Sequence, residues 1–255
     1  MRAQRQTSIE VDSTFLNEIN MSLSVTPLKA LAYMLGFARQ FSKKLKNKKH
    51  YVSLYSRRIN SEFKFSKAMA KMASAGDFDT TMFYKSIPSA VYAYVSFFYA
   101  LDKKELEQYV SMFDAKDNNN MLLKPALLAL GNEKKSAAIK AIESYIYSIP
   151  FFMMQSTVST ILNIMQFESS TAIRGIPQSI VDKMESSLLQ SGSIIKSMES
   201  FKQNPALLEA SKLEMAKTLA ELAAHDSYAG DIIKEMVDVQ SSRTAKLFRI
   251  VRKKL

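Results

Sequence analysis

The densest concentration of chemically useful side chains is a basic run with aromatic residues between the charges. From Arg39 to Lys71 there are eleven Lys or Arg residues and a single acid, Glu62. Closely spaced cations bind phosphate backbones because binding releases the counterions that the phosphates hold. Tyrosine rings and arginine planes can then stack on unpaired bases. The segment therefore has the composition of a surface that binds nucleic acid.

A second basic cluster forms the last part of the sequence. Residues 241–255 contain six Lys or Arg residues and no acid. On a helix, Lys246, Arg249 and Lys253 fall on one face and apolar residues fall on the opposite face. A helix of this kind loses stability through self-repulsion unless a polyanion or nearby acids compensate its charge.

The candidate nucleic-acid-binding residues come from both clusters. Their cationic members would contact phosphates, and Tyr51 is the aromatic residue that the apolar spacing of its helix needs least. The candidates are Arg39, Lys43, Lys44, Lys46, Lys48, Lys49, Tyr51, Arg57, Arg58, Lys64, Lys67, Arg243, Lys246, Arg249, Arg252, Lys253 and Lys254.

Charge is segregated along the chain, whose net charge is +11. Residues 1–75 hold 14 Lys or Arg against 4 Asp or Glu, whereas residues 76–240 hold 15 against 20. We interpret these parts as a basic N-terminal third and an acidic body, followed by the basic C-terminal helix 241–255. The acidic body can compensate the basic ends, so an ordinary solvated face is the alternative interpretation of the clusters.

Catalytic chemistry has little support in the sequence. Of the two histidines, His225 precedes Asp226, a pair that resembles the central dyad of metal-dependent HD-type phosphohydrolases. That family needs a further upstream histidine as a metal ligand, and His50 follows a lysine run that would repel a metal ion. We therefore expect the dyad to be a helix end without a catalytic role.

Other cofactor and metal sites are also disfavoured. The six glycines are too far apart for a phosphate-binding loop, and the absence of cysteine excludes a thiol nucleophile or a Cys-ligated zinc. The segment 114–120 lacks the glycine and the terminal glutamate of a calcium loop. We predict a protein that is not an enzyme and that holds no cofactor and no metal.

The elements that must position the basic residues are predicted to be helices. Gly and Pro number only 6 each, and apolar residues recur at helical spacing. The sequence predicts a single all-α globular domain over 1–255, with roughly nine to eleven helices, no familiar DNA-binding motif and room for a subdivision near 168–176. Pro27, Pro88 and Pro150 are each expected to open a helix.

One uncharged stretch, between Glu143 and Glu168, is long enough to raise the question of a membrane span. Pro150 and several polar residues interrupt it, so we interpret it as a buried core helix without a transmembrane segment.

Three functions fit these features. RNA or single-stranded nucleic acid, bound with weak sequence preference, is favoured over duplex DNA because no motif for reading a major groove is present. The alternative is an adaptor or effector that docks an acidic protein partner, which the fifteen methionines favour. The third is a peripheral membrane protein anchored by residues 241–255. Without cysteine or a secretory signal, a cytoplasmic location is expected.

Overall fold

The structure, a computed structural model, describes residues 12–45, 49–75, 79–112 and 135–167, the isolated residues Ser179, Asp182 and Ser186, and residues 201–235 without 202 and 228. Its helices are α1 (Ser13–Lys44), α2 (His50–Ser74), α3 (Thr80–Tyr99), α4 (Lys103–Met112), α5 (Lys135–Phe167), α6 (Pro205–His225) and α7 (227–235). No strand occurs among these residues, and the all-α prediction is confirmed.

The described part of the chain holds seven helices, so the predicted count of nine to eleven is not confirmed. One reason lies in three prolines. Pro27, Pro88 and Pro150 lie inside α1, α3 and α5, where the sequence predicts helix starts. A proline inside a helix removes one hydrogen bond and costs about 3 kcal/mol. The buried apolar residues around each proline offset that cost. The helix therefore continues through the proline in all three cases, where the sequence predicts that one helix ends and another begins.

Helix α3 shows how the loss at Pro88 is compensated. Pro88 has no N–H for the carbonyl of Tyr84, which lies four residues earlier. The hydroxyl of Tyr147 in α5 donates to that carbonyl oxygen over 3.3 Å. The rings of Tyr84 and Tyr147 also stack, with centroids 5.8 Å apart. A tertiary hydrogen bond therefore occupies the acceptor that the proline leaves free.

The sequence predicts helix caps at Asp79 and at Asp102 with Glu105, and both occur. Asp79 accepts a hydrogen bond from the N–H of Met82 at the start of α3. Asp102 and Glu105 form a reciprocal capping box at α4, each carboxylate accepting from the other's N–H. At α6, the helix begins at Pro205, as the sequence predicts, and Asn204 caps it.

The chain divides into two compact units. The first contains the described residues of 12–24, 150–167 and 201–235, and the second contains those of 25–45, 49–75, 79–112 and 135–149. The segment 168–176, where the sequence allows a subdivision, lies outside the described residues.

The second unit is built around aromatic rings. The ring of Tyr109 in α4 lies 5.0 Å from Phe37 and 4.0 Å from Phe98, measured between centroids. Its hydroxyl is 2.6 Å from that of Tyr94 in α3, and burial raises the pKa of both phenols. These rings pack α1, α3 and α4 together, and the hydroxyls of Tyr94 and Tyr109 form a hydrogen bond with each other.

The first unit contains a buried cation. The Lys212 side chain in α6 is fully buried; its ammonium donates to the Ser24 hydroxyl over 2.8 Å and pairs with Glu209 at 2.7 Å. One turn further along α6, Lys217 pairs with Glu214 at 2.8 Å on the exposed surface. In the same unit, the Phe151 and Phe201 rings stack with centroids 5.7 Å apart.

Among the described residues, one helix is long and apolar enough to cross a membrane, namely α1. Of its apolar 18-residue window, 67% is buried inside the protein, as in the core helix of a globular domain. Length and composition alone are therefore weak evidence for a membrane span.

Candidate nucleic-acid interface

Helix α2 turns its cations outward. Val52, Ile59, Met69 and Ala73 are buried on its inner side. Exposed cations lie along the rest of its surface, namely Arg57, Arg58, Lys64, Lys67 and Lys71. We call these five residues the α2 basic stripe. A rise of 1.5 Å per residue puts about 10.5 Å between Arg57 and Lys64, and the same again to Lys71.

Lys43, Lys44 and Lys49 extend the basic surface at the junction of α1 and α2. All three are exposed, the first two in the last turn of α1 and the third just before α2. Cations at a helix C-terminus also stabilise the helix through its dipole, so the first two have a structural role as well. Lys46 and Lys48 lie outside the described residues.

Two arginines lie over aromatic rings of neighbouring helices. The Arg39 guanidinium in α1 is 5.1 Å from the Phe63 ring centroid in α2, and that of Arg58 is 5.2 Å from the Tyr92 ring centroid in α3. Such contacts contribute about 0.5–1 kcal/mol at exposed sites. Arg39 is half-buried, so it also packs α1 against α2, a role that the sequence did not indicate.

The one acid of this segment does not neutralise the stripe. Glu62 accepts a hydrogen bond from the Ser89 hydroxyl of α3 over 2.7 Å. Within the described ranges, no carboxylate comes within 4.0 Å of a cationic nitrogen of the α2 basic stripe. The stripe is therefore left without an ion-pair partner in that part of the protein.

Exposed tyrosines border the cations. Tyr51 is 67% exposed, and Tyr92 and Tyr99 are exposed on α3. The ammonium of Lys135, at the start of α5, is 4.7 Å from the Tyr92 ring centroid and 5.7 Å from that of Tyr99. Tyr92, Tyr99 and Lys135 are not among the candidates predicted from the sequence. The spacing of seven residues between Tyr92 and Tyr99 puts both on one face of a helix. This helix is apolar nearly all round, so the sequence does not distinguish that face from the others.

A pocket of about 240 Å³ opens beside these rings. It brings together side chains from α2, α3 and α5 with Lys49, which precedes α2. Its walls are Lys49, Tyr51, Tyr55, Ser96, Tyr99, Ala100 and Lys135. Ser96 is the buried residue of this lining. The predicted candidates Lys49 and Tyr51 are thus brought together with residues far away in sequence.

The His225–Asp226 dyad lies at the junction of α6 and α7. His225 ends α6, and the carboxylate of Asp226 accepts a hydrogen bond from the N–H of Ala229 over 2.8 Å. This contact caps α7, which agrees with a helix-end interpretation. No group of three potential metal ligands occurs among the residues that the structure describes.

The remaining candidates cannot be located. Arg243, Lys246, Arg249, Arg252, Lys253 and Lys254 lie outside the described residues, and so does the segment 114–120.

Comparison of the chain with protein-family models, with curated proteins and with solved structures found no match.

Proposed function

We propose that this protein binds RNA or other single-stranded nucleic acid, with weak sequence preference, through the basic surface of its second unit. One observation carries the proposal: exposed cations on α2 and at the α1–α2 junction have exposed tyrosine rings beside them. A polyanion neutralises such cations through its phosphates, and unpaired bases supply flat faces for the rings.

The spacing of the stripe also favours an extended ligand. Arg57, Lys64 and Lys71 lie along one line about 21 Å long. A small anion would contact one of these side chains, whereas a strand can contact several in succession. A bound strand also removes the self-repulsion among cations on one face of α2.

The salt dependence of binding tests this proposal. If about five phosphates of a single strand are neutralised, the slope of log affinity against log salt is about −3.5. We expect this slope for a fluorescent single-stranded RNA followed by anisotropy. A flat salt response, or no binding at low salt, contradicts the proposal.

A charge-neutralised variant locates the surface. The triple substitution Arg57→Gln, Lys64→Gln and Lys67→Gln should weaken binding to all sequences alike. If each side chain contacts one phosphate, the slope falls to roughly −1.4. The quintuple substitution of Lys43, Lys44, Lys46, Lys48 and Lys49 by Gln acts in the same direction. Circular dichroism confirms that the variants fold.

Three exposed lysines elsewhere supply the matched control. Replacing Lys140, Lys217 and Lys234 by Gln removes the same charge without touching the α2 basic stripe. This variant should keep the parental slope within about one phosphate contact. Equal losses in the control and in the α2 variant would show that net charge, rather than this surface, determines binding.

The two alternatives predict different outcomes. An adaptor for an acidic protein would retain a salt-sensitive partner after nuclease treatment. A membrane-surface protein would bind anionic vesicles and lose that binding when residues 241–255 are removed, while the lysine substitutions would matter little.

A further inference from the structure

We infer that the pocket lined by Tyr51, Tyr99, Lys49 and Lys135 holds one unpaired nucleotide of the bound strand. Its base lies against the tyrosine rings, and its phosphate lies at the two lysines. This inference rests on the proposed function and adds a defined site to it. It also makes unpaired bases, rather than backbone charge alone, part of what the protein recognises.

The size of the pocket suits a single planar group. Its volume is about 240 Å³. Pockets that enclose a whole cofactor or drug-sized ligand measure about 300–1,000 Å³. A pocket below this range suits one planar group rather than a whole cofactor.

The charge of the pocket selects among aromatic-binding ligands. Three tyrosines in one pocket are also typical of cages for quaternary ammonium groups. Here Lys49 and Lys135 bring two positive charges into the same walls, and no carboxylate is among the lining residues. A cationic ligand would be repelled, so the occupant is a flat group that carries a negative charge. A nucleotide has both properties.

The rings are accessible to a base. Tyr51 is 67% exposed and Tyr99 is 46% exposed. The Lys135 ammonium, 5.7 Å from the Tyr99 ring centroid, is close enough to bind the phosphate of a nucleotide stacked on that ring.

Base pairing would prevent this mode of binding, because a paired base is stacked within its own duplex. Extruding it costs a few kcal/mol, and a single strand avoids this cost. The pocket should therefore favour single-stranded over double-stranded nucleic acid, whereas the α2 basic stripe attracts both.

The test compares two double variants of the full-length protein. Tyr51→Leu with Tyr99→Leu removes both rings, whereas Tyr51→Phe with Tyr99→Phe keeps them and removes only the hydroxyls. For an eight-nucleotide RNA, we expect the leucine pair to bind at least tenfold more weakly and the phenylalanine pair to bind like the parent. The salt slope should be the same in all three, because no phosphate contact is removed.

An abasic strand of the same length isolates the contribution of the bases. The parent should bind it at least tenfold more weakly than the RNA with bases, and the leucine pair should show little difference between the two strands. For a duplex of the same sequence, the leucine pair should bind like the parent. Lys135→Gln should weaken RNA binding and reduce the slope by about 0.7.

The outcomes separate this inference from the proposed function. If the RNA binds with the expected salt slope and the leucine pair binds as tightly as the parent, the nucleotide pocket is refuted and the basic surface stands. If the parent binds neither strand at low salt, the proposed function fails. Matching thermal midpoints for the parent and both pairs show that a loss is not caused by unfolding, since both tyrosines are exposed.

Discussion

Helices α2 and α6 differ in whether their cations form ion pairs within the helix. In α6, Lys212 pairs with Glu209 and Lys217 pairs with Glu214, in each case with a carboxylate three residues earlier. In α2, the corresponding positions before Lys64, Lys67 and Lys71 are occupied by Ser61, Lys64 and Ala68. One helix contains the partners of its own cations, and the other leaves its cations to solvent or to a ligand.

This difference shows that a lysine count says little about function until the partners of each lysine are known. Lys212 is fully buried and contributes to the fold of the first unit. The α2 basic stripe has no described carboxylate partner, and its cations lie on the surface. Substitutions at the two helices should therefore affect different measurements.

The largest expected effect is on stability, at Lys212. Lys212→Ala removes a buried aliphatic chain, its hydrogen bond to Ser24 and its ion pair with Glu209. We expect the free energy of unfolding to fall by about 3 kcal/mol, measured by urea denaturation. Lys212→Met restores the packing and should recover only part of this loss. A loss below about 0.5 kcal/mol for the alanine variant would show that α6 does not depend on its buried cation.

Substitutions in α2 are expected to have a smaller effect on the free energy of unfolding than Lys212→Ala, and to cause no loss of stability. The triple substitution Arg57→Gln, Lys64→Gln and Lys67→Gln should leave the free energy of unfolding unchanged, or raise it by about 0.5 kcal/mol, because it relieves repulsion between like charges. Lys217→Ala, which breaks an exposed pair, should cost at most about 0.5 kcal/mol. If the α2 variant instead loses more than about 1 kcal/mol, these cations have a structural role and the contrast with α6 fails.

The smallest effect is a pH dependence of stability. Burial lowers the pKa of Lys212, although Glu209 opposes the shift. Between that lowered pKa and the usual value of 10.5, the unfolded chain binds more protons than the folded protein, so stability rises with pH. Lys212→Met should remove this rise from urea denaturation curves collected over a pH series.

Above pH 10 a buried tyrosine acts in the other direction. Burial raises the pKa of Tyr147 to about 12. The unfolded chain then releases this proton first, so stability that is fully present below pH 10 is lost as the pH rises towards 12. Tyr147→Phe removes this contribution and leaves the Lys212 contribution intact. Identical pH profiles for the parent and both variants would contradict both assignments.

The sequence predicts local features of the fold well and tertiary compensation poorly. Asp79, Asp102 and Glu105 cap helices where their spacing indicates, because capping involves only neighbouring residues. The sequence predicts a helix start at Pro88, because nothing near this residue in sequence shows that Tyr147, 59 positions later, donates a hydrogen bond to the carbonyl of Tyr84. Continuity through such a proline is a property of the packed protein.

The same distinction applies to the candidate site. The apolar spacing of α2 predicts that Tyr51, Arg57 and Lys64 are exposed, and they are. The pocket joins Tyr51 to Lys135, 84 residues away, across three helices. No local pattern marks such a pair, and the aromatic surface of α3 could be identified only after its buried face was known.

The hydrogen bond from Tyr147 to the carbonyl of Tyr84 makes α3 and α5 a cooperative pair. Cut out as a peptide, residues 80–99 would lack the hydroxyl that compensates for Pro88 and would fray at that point. Amides on both sides of Pro88 should therefore exchange with solvent only through openings that also undock α5. Since Tyr99 lies beyond the proline in α3 and Lys135 begins α5, both sides of the pocket that they line would form, and be lost, in the same event.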